Sequence, residues 1–184
     1  FIKKILILLV VLFGFITGVD ASTYTGYKIG DEIEVNLNST LKTKFIVIKD
    51  SDASTREVKA IYKDTIPDVA NYQSDYNYSE SNAKIESLKN EWTNVTSVSH
   101  PNMEELFGDK YTNSSESFHF NDPKWLITDL IWWTSTIGKS KDGEDGHWTI
   151  GSTLTKEGTT GVFADSQKHA IRPVINVNKY YFLG

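Results

Sequence analysis

Ile33, Val35 and Leu37 alternate with Glu32, Glu34 and Asn36, the period-two pattern of a strand with one wet face. Phe45-Ile46-Val47-Ile48 is apolar on both faces and predicts a strand in the middle of a sheet. Asp50-Ser51-Asp52-Ala53-Ser54 has turn chemistry, and Val58, Ala60 and Tyr62 then alternate again. Residues 22–66 therefore predict an antiparallel meander. Residues 67–78 are polar and tyrosine-rich and read as a loop. The period then changes. Ile85, Leu88 and Trp92 fall at i, i+3 and i+7, which predicts a helix over Glu80–Thr93 with Ser79 as its cap. A shorter helix is predicted over Met103–Phe107, with Asn102 as cap, Glu105 at the third helical position and Gly108 ending it. Asp122-Pro123 signals a further helical start carrying Trp125, Leu126 and Leu130.

The C-terminal third returns to strand. Trp132–Thr136, His147–Ile150, Gly161–Ala164 and Ile171–Val177 are bulky and β-prone, separated by the glycine-rich charged stretch Gly138–Gly146. Pro173 cannot donate to a ladder, so it belongs at a sheet edge or at a strand's start. No linker divides the chain, and residues 22–184 are expected to form one α+β domain.

The first residues have a different pattern. Lys3 and Lys4 precede an uncharged run from Ile5 to Val19, followed by Asp20 and Ala21. A basic start, a short apolar middle and a small-residue exit is the layout of a secretory signal peptide, with cleavage expected after Ala21. The run has fifteen residues, short of the ~20 that span a bilayer. The expected location is secreted or at the cell surface, with membrane contact only through an uncleaved N-terminus. Removing residues 1–21 leaves 17 basic and 23 acidic residues, a net charge of −6. That surface disfavours nucleic acid as a partner. The chain has no Cys, which removes disulfides, thiolate nucleophiles and thiolate metal sites. Five Trp, nine Tyr and nine Phe are the means of stabilising a domain without crosslinks.

Tyr27-Lys28-Ile29-Gly30-Asp31, Leu88-Lys89-Asn90-Glu91-Trp92, Trp125-Leu126, Trp133-Thr134-Ser135-Thr136 and Ile171-Arg172-Pro173-Val174-Ile175 come in an order with a family likeness. Over residues 27–178 the chain resembles an uncharacterised extracellular domain family of low-GC Gram-positive bacteria. Its members end in an Arg-Pro-Val or Arg-Pro-Ala strand. That family is similar to the C-type-lectin-like fold shared with formylglycine-generating enzymes. The resemblance implies small antiparallel sheets with two or three short helices, first and last strands lying together, and long loops on one side. Trp92, Trp125, Arg172 and Pro173 are read as structural, Arg172 as an ion pair or a clamp on carbonyls. The formylglycine-generating enzymes work through cysteines, so their oxidase chemistry does not carry over. The Glu-Pro-Asn, Gln-Pro-Asp and Trp-Asn-Asp triplets of calcium-dependent lectins do not occur either.

Asp142, Glu144 and Asp145, set among Gly143 and Gly146, are carboxylates that could converge on Ca²⁺. They miss the EF-hand spacing in both registers, and a solvated hairpin loop is the favoured reading. The four histidines, His100, His119, His147 and His169, are widely spaced and read as surface or loop residues. No Gly-x-Ser-x-Gly elbow occurs, and Glu104-Glu105 suits a helix start. In a strand Trp132 and Trp133 point to opposite faces. Both are expected to pack. The alternative leaves one exposed to join Trp148 and the acidic triad as a ligand surface. These observations favour a secreted or surface-displayed module that binds a glycan, peptide or protein through its C-terminal loops, with no cofactor expected. The alternatives are an extracellular carboxylate- or metal-dependent hydrolase and a pilin-like or envelope subunit.

Overall fold

The structure, a computed structural model, describes residues 26–50, 56–66, 76–112 and 117–183. The expected signal segment, the turn Asp50–Ser54 beyond Asp50, and residues 67–75 of the expected loop lie outside these residues. Within them, no helix is long and apolar enough to cross a membrane.

β2 (Lys42–Asp50) organises the fold because it is apolar on both sides. Phe45 and Val47 enter one hydrophobic cluster, whereas Ile46 and Ile48 enter another. β1 (Glu32–Asn36), β3 (Glu57–Tyr62), β4 (Val95–Ser99), β9 (Val174–Asn178) and β10 (Phe182–Leu183) complete its sheet, in the order β10-β1-β2-β3-β9-β4. A second sheet has the order β5-β8-β7-β6, made of β5 (His119–Phe120), β6 (Trp132–Lys139), β7 (Asp145–Ser152) and β8 (Gly158–Ala164). All ladders in both sheets are antiparallel. The α+β class expected from the sequence is therefore present.

The six-stranded sheet is covered on both faces. On one, Val47, Val58, Ala60, Ile175 and Val177 pack against Ile85, Leu88 and Trp92 of α1 (Tyr78–Glu91). On the other, Ile46, Ile48, Ile61 and Val174 pack against Trp132, Trp148 and Ile150 of the second sheet. Met103 of α2 (Met103–Phe107), together with Phe120 and Leu126, closes that side. Each large apolar side chain so buried stabilises the fold by about 1.5–3 kcal/mol.

Helix α1 starts two residues before the sequence-based expectation. Its cap is Asn77, not Ser79: the Asn77 carboxamide accepts from the Glu80 amide at 2.9 Å, and the Glu80 carboxylate accepts from the Asn77 amide at 2.9 Å. This reciprocal capping box satisfies two otherwise orphaned donors. Trp92 ends the helix, buried and edge-on to Phe45 at 6.0 Å. In α2 the Asn102 carboxamide accepts from the Glu105 amide at 2.7 Å, and Gly108 closes the helix as expected. A one-turn helix α3 (Asp109–Thr112) follows.

The turn or two of helix expected after Asp122-Pro123 is a single 3₁₀ turn, Lys124–Leu126, with Pro123 as its cap residue. Pro123 is extended and Ile127 returns to extended backbone, so Leu130 lies outside the element. Its function is to bury Leu126 and half-bury Trp125 against the cluster between the sheets.

Arg172 is buried and acts as a clamp on backbone carbonyls. Its Nε donates to the Tyr62 carbonyl at 2.8 Å and one terminal nitrogen to the Lys63 carbonyl at 2.9 Å. Its guanidinium lies over the Trp132 ring, 5.4 Å from the centroid. Burial pulls its pKa down to about 10. Pro173 accepts from the Tyr62 amide at 2.7 Å and precedes β9. The first strand pairs with the two-residue β10 through Glu34–Leu183 and Val35–Phe182. β9, the Arg-Pro-Val strand that the resemblance implied would lie beside the first strand, lies instead between β3 and β4.

Candidate functional site

Trp132, Trp133 and Trp148 are at most 5% exposed. As ring surfaces offered to a ligand they are corrected to core residues. Alternation sends Trp132 between the two sheets and Trp133 to the opposite face of β6. There the Trp133 indole donates to the Tyr76 carbonyl at 2.9 Å and meets Tyr78 edge-on at 5.5 Å. Trp148 packs edge-on to Tyr111 at 5.7 Å.

The acidic stretch is a hairpin turn. The Ser140 amide donates to Glu144 and the Gly143 amide to Ser140, each at 2.9 Å, with Gly143 at φ +82°. Asp145 pairs with Lys139 across the hairpin, which holds its carboxyl below the usual range. Asp142 and Glu144 flank Gly143 in this exposed turn. Among the described residues no group of three His, Asp or Glu side chains is placed to hold a metal ion.

Polar side chains come together elsewhere, at the free edge of β4. Among the described residues, β9 pairs with one side of β4 and no strand pairs with the other. A groove of about 360 Å³ runs along that free edge past Val98, Ser99 and His100. α1 forms one wall with Asn82, Ile85, Glu86 and Lys89, and α2 with its cap forms the other with Asn102 and Glu105. Lys59, reaching from β3, pairs with Glu105 there. Glu86 and Lys89 pair at 2.5 Å on the α1 wall. Ser135 and Tyr78 also line the groove.

The two faces of the sheet explain this arrangement. Val98 points to the α1 side, into the cluster with Ile85 and Leu88. Ser97 and Ser99 alternate to the α2 side, as does Lys59 relative to Val58 and Ala60.

Behind the groove lies a buried aromatic and imidazole cluster that the sequence reading placed wrongly. His100 and His169 are only 7% and 6% exposed, not surface residues. Tyr78 stacks on His147 with centroids 3.4 Å apart and, offset, on His100 at 5.6 Å. His169 meets Trp133 edge-on at 4.6 Å and Phe163 at 4.8 Å. His147 Nδ1 is 2.7 Å from an Asp165 carboxylate oxygen. Burial, with the nearby His147, pulls the His100 pKa down to about 4, and burial alone does the same for His169. Both are neutral at pH 7. Burial and the Asp165 carboxylate push the Tyr78 phenol up.

Ser81 and His100 touch at 3.1 Å but do not form a nucleophile and base. The Ser81 hydroxyl donates its one proton to the Tyr78 carbonyl at 2.7 Å. Hydrogen-bond accounting therefore assigns the proton on His100 to Nε2, which donates to Ser81. A general base would need its lone pair at that nitrogen. The lone pair sits instead on Nδ1, buried and without a partner among the described residues.

A wider depression of about 580 Å³ lies between Asn121, Lys124, Ile127, Asp129, Ser152 and Lys156. It is larger than the groove, but four of these six residues are exposed. No family model, curated protein or solved structure matches the chain.

The sequence reading named none of the groove residues as a site. Asn102 and Glu105 were legible as a helix cap and its neighbour. Lys59, Asn82 and Ser135 carried no signal, because only the fold brings them within reach of one another.

Proposed function

We propose that this chain is a secreted or cell-surface binding module for a glycan, peptide or protein, and that its ligand lies in the groove beside β4. The observation that carries this reading is the groove itself. Polar side chains from α1, α2, β3 and β6 converge on a strand edge that no strand among the described residues pairs with, and each is fixed by a packed element. The C-terminal loops of the original expectation lose their support, since their tryptophans are buried and their acids form a tight turn. The hydrolase alternative draws no support here, because Glu105 is held by Lys59 and Glu86 by Lys89. The pilin-like alternative rests on residues outside those described. The likeness to the C-type-lectin-like architecture is kept as part of the proposal. It is supported by the second sheet carried on the first, although the Arg-Pro-Val strand β9 lies between β3 and β4 and not beside β1. Export itself rests on the Lys3–Ala21 pattern.

The test is retention of the chain from Ser22 onward on glycan and peptide arrays and on isolated cell walls. Binding that is lost in Asn82→Trp, a bulky change on an exposed wall position, supports the reading. Retention on none of these surfaces overturns it.

A further inference from the structure

We infer that the groove's ligand is an extended peptide that adds to β4 as a further strand; this rests on the binding-module reading above. In an antiparallel ladder every second residue turns its N–H and C=O away from the paired strand. An edge strand therefore presents a row of backbone donors and acceptors that an added chain can satisfy. The ladder between β4 and β9 is irregular between Val95 and Ser97, and the Thr96 hydroxyl bonds to the Asn176 carbonyl at 3.0 Å. The regular edge is therefore Ser97–Ser99, three small or β-branched residues with no charge and no proline. Natural edges are commonly blunted by lysine, proline or a covering loop, and the Ser97–Ser99 stretch carries neither of the first two.

The walls decide the occupant. A strand laid on this edge would direct alternate side chains towards Asn82, Glu86 and Lys89 on one side and towards Asn102, Glu105 and Lys59 on the other. The wall charges are two lysines against two glutamates, each pair already joined, so the complement is a peptide with no strong net charge and with polar or β-branched side chains. A second copy of the chain fits less well. Its own β4 lies at the bottom of the same groove, and two recessed edges cannot meet.

The experiment uses the chain from Ser22 onward on an array of L-decapeptides graded in net charge, with a glycan array beside it. Expected are retention on neutral polar peptides and slowed amide exchange at Ser97–Ser99 on addition of a retained decapeptide. N-methylation of alternate peptide residues should weaken binding about tenfold or more in one phase and leave it unchanged in the other, because only one set of amides faces β4. Lys89→Glu should shift the preference about tenfold towards basic peptides. Retention on glycans but not on peptides overturns the inference and leaves the binding-module reading standing. Retention on neither array, nor on isolated cell walls, removes that reading as well. Equal tolerance of both N-methylation phases, or protection of Ser97–Ser99 through self-association without peptide, overturns strand addition.

Discussion

Mild acid should weaken this fold through two buried imidazoles. His100 and His169 have pKa values near 4 in the folded state, pulled down by burial, against about 6.5 in an unfolded chain. The unfolded state therefore binds protons first as pH falls. Their contribution is fully present above pH 6.5, declines below it, and is lost by about pH 4. At pH 5 the loss works out at about 2 kcal/mol for each histidine. Together that is a large fraction of the 5–15 kcal/mol typical of a domain. Among the described residues, neither ring is hydrogen-bonded to a carboxylate. His100 faces Ser81, Tyr78 and His147, and His169 faces Trp133 and Phe163. Carboxylates held low by lysine, such as Glu32 and Asp145, lose their contribution only below about pH 4.5, so the window from pH 6.5 to 5 belongs to the imidazoles. The assay is urea denaturation across that window for the wild type and for His100→Asn/His169→Asn. The wild-type midpoint should fall by about 1–2 M urea, while the double variant, starting lower, should stay nearly level. A wild-type midpoint constant from pH 7 to 5, or His100 and His169 resonances titrating near pH 6.5, would refute the reasoning.

Other perturbations are as specific. Arg172→Met should cost about 2–4 kcal/mol in chemical denaturation, because the Tyr62 and Lys63 carbonyls lose their buried donors. Asn77→Ala removes both bonds of the capping box and should lower stability by about 1 kcal/mol, read as a Tm a few degrees lower. Gly146→Ala should destabilise by more than 3 kcal/mol or prevent folding, since a Cβ there would run into the Phe163 carbonyl oxygen. Asp142→Asn/Glu144→Gln should leave the Tm unchanged in calcium-free buffer and with added Ca²⁺. A calcium-dependent rise in wild-type Tm that the double variant lacks would restore a metal role to the turn.

Much of the fold was legible because its signals were local. The Ile33, Val35, Leu37 alternation, the two-sided Phe45–Ile48 run and the Asn102 cap each depend on residues within one element. β4 was not legible, and its irregular register explains why. Val95 and Val98 are three residues apart, a spacing that fits no strand, yet both contribute to the cluster beneath α1 because the register shifts between Val95 and Ser97. The first half of β8, Gly158-Thr159-Thr160, lies outside the strand expected over Gly161–Ala164. Its glycine is required by Phe120, whose ring occupies the space a Cβ would need. The site was hidden for a different reason. Its histidines lie far apart in the chain, and burial turned residues expected at the surface into neutral packing groups.

The six-stranded sheet serves as the common wall of two interiors, and this bears on how the molecule comes apart. Phe45 and Ile46 are sequence neighbours that belong to different hydrophobic clusters, so neither cluster can melt without stripping one side of β2. Nor does any cut of the chain yield a fragment with a complete interior, because β9 and Arg172 arrive late to close against β3. Heat or denaturant should therefore take the protein apart in one step, with the slowest-exchanging amides along β2, β3 and β9.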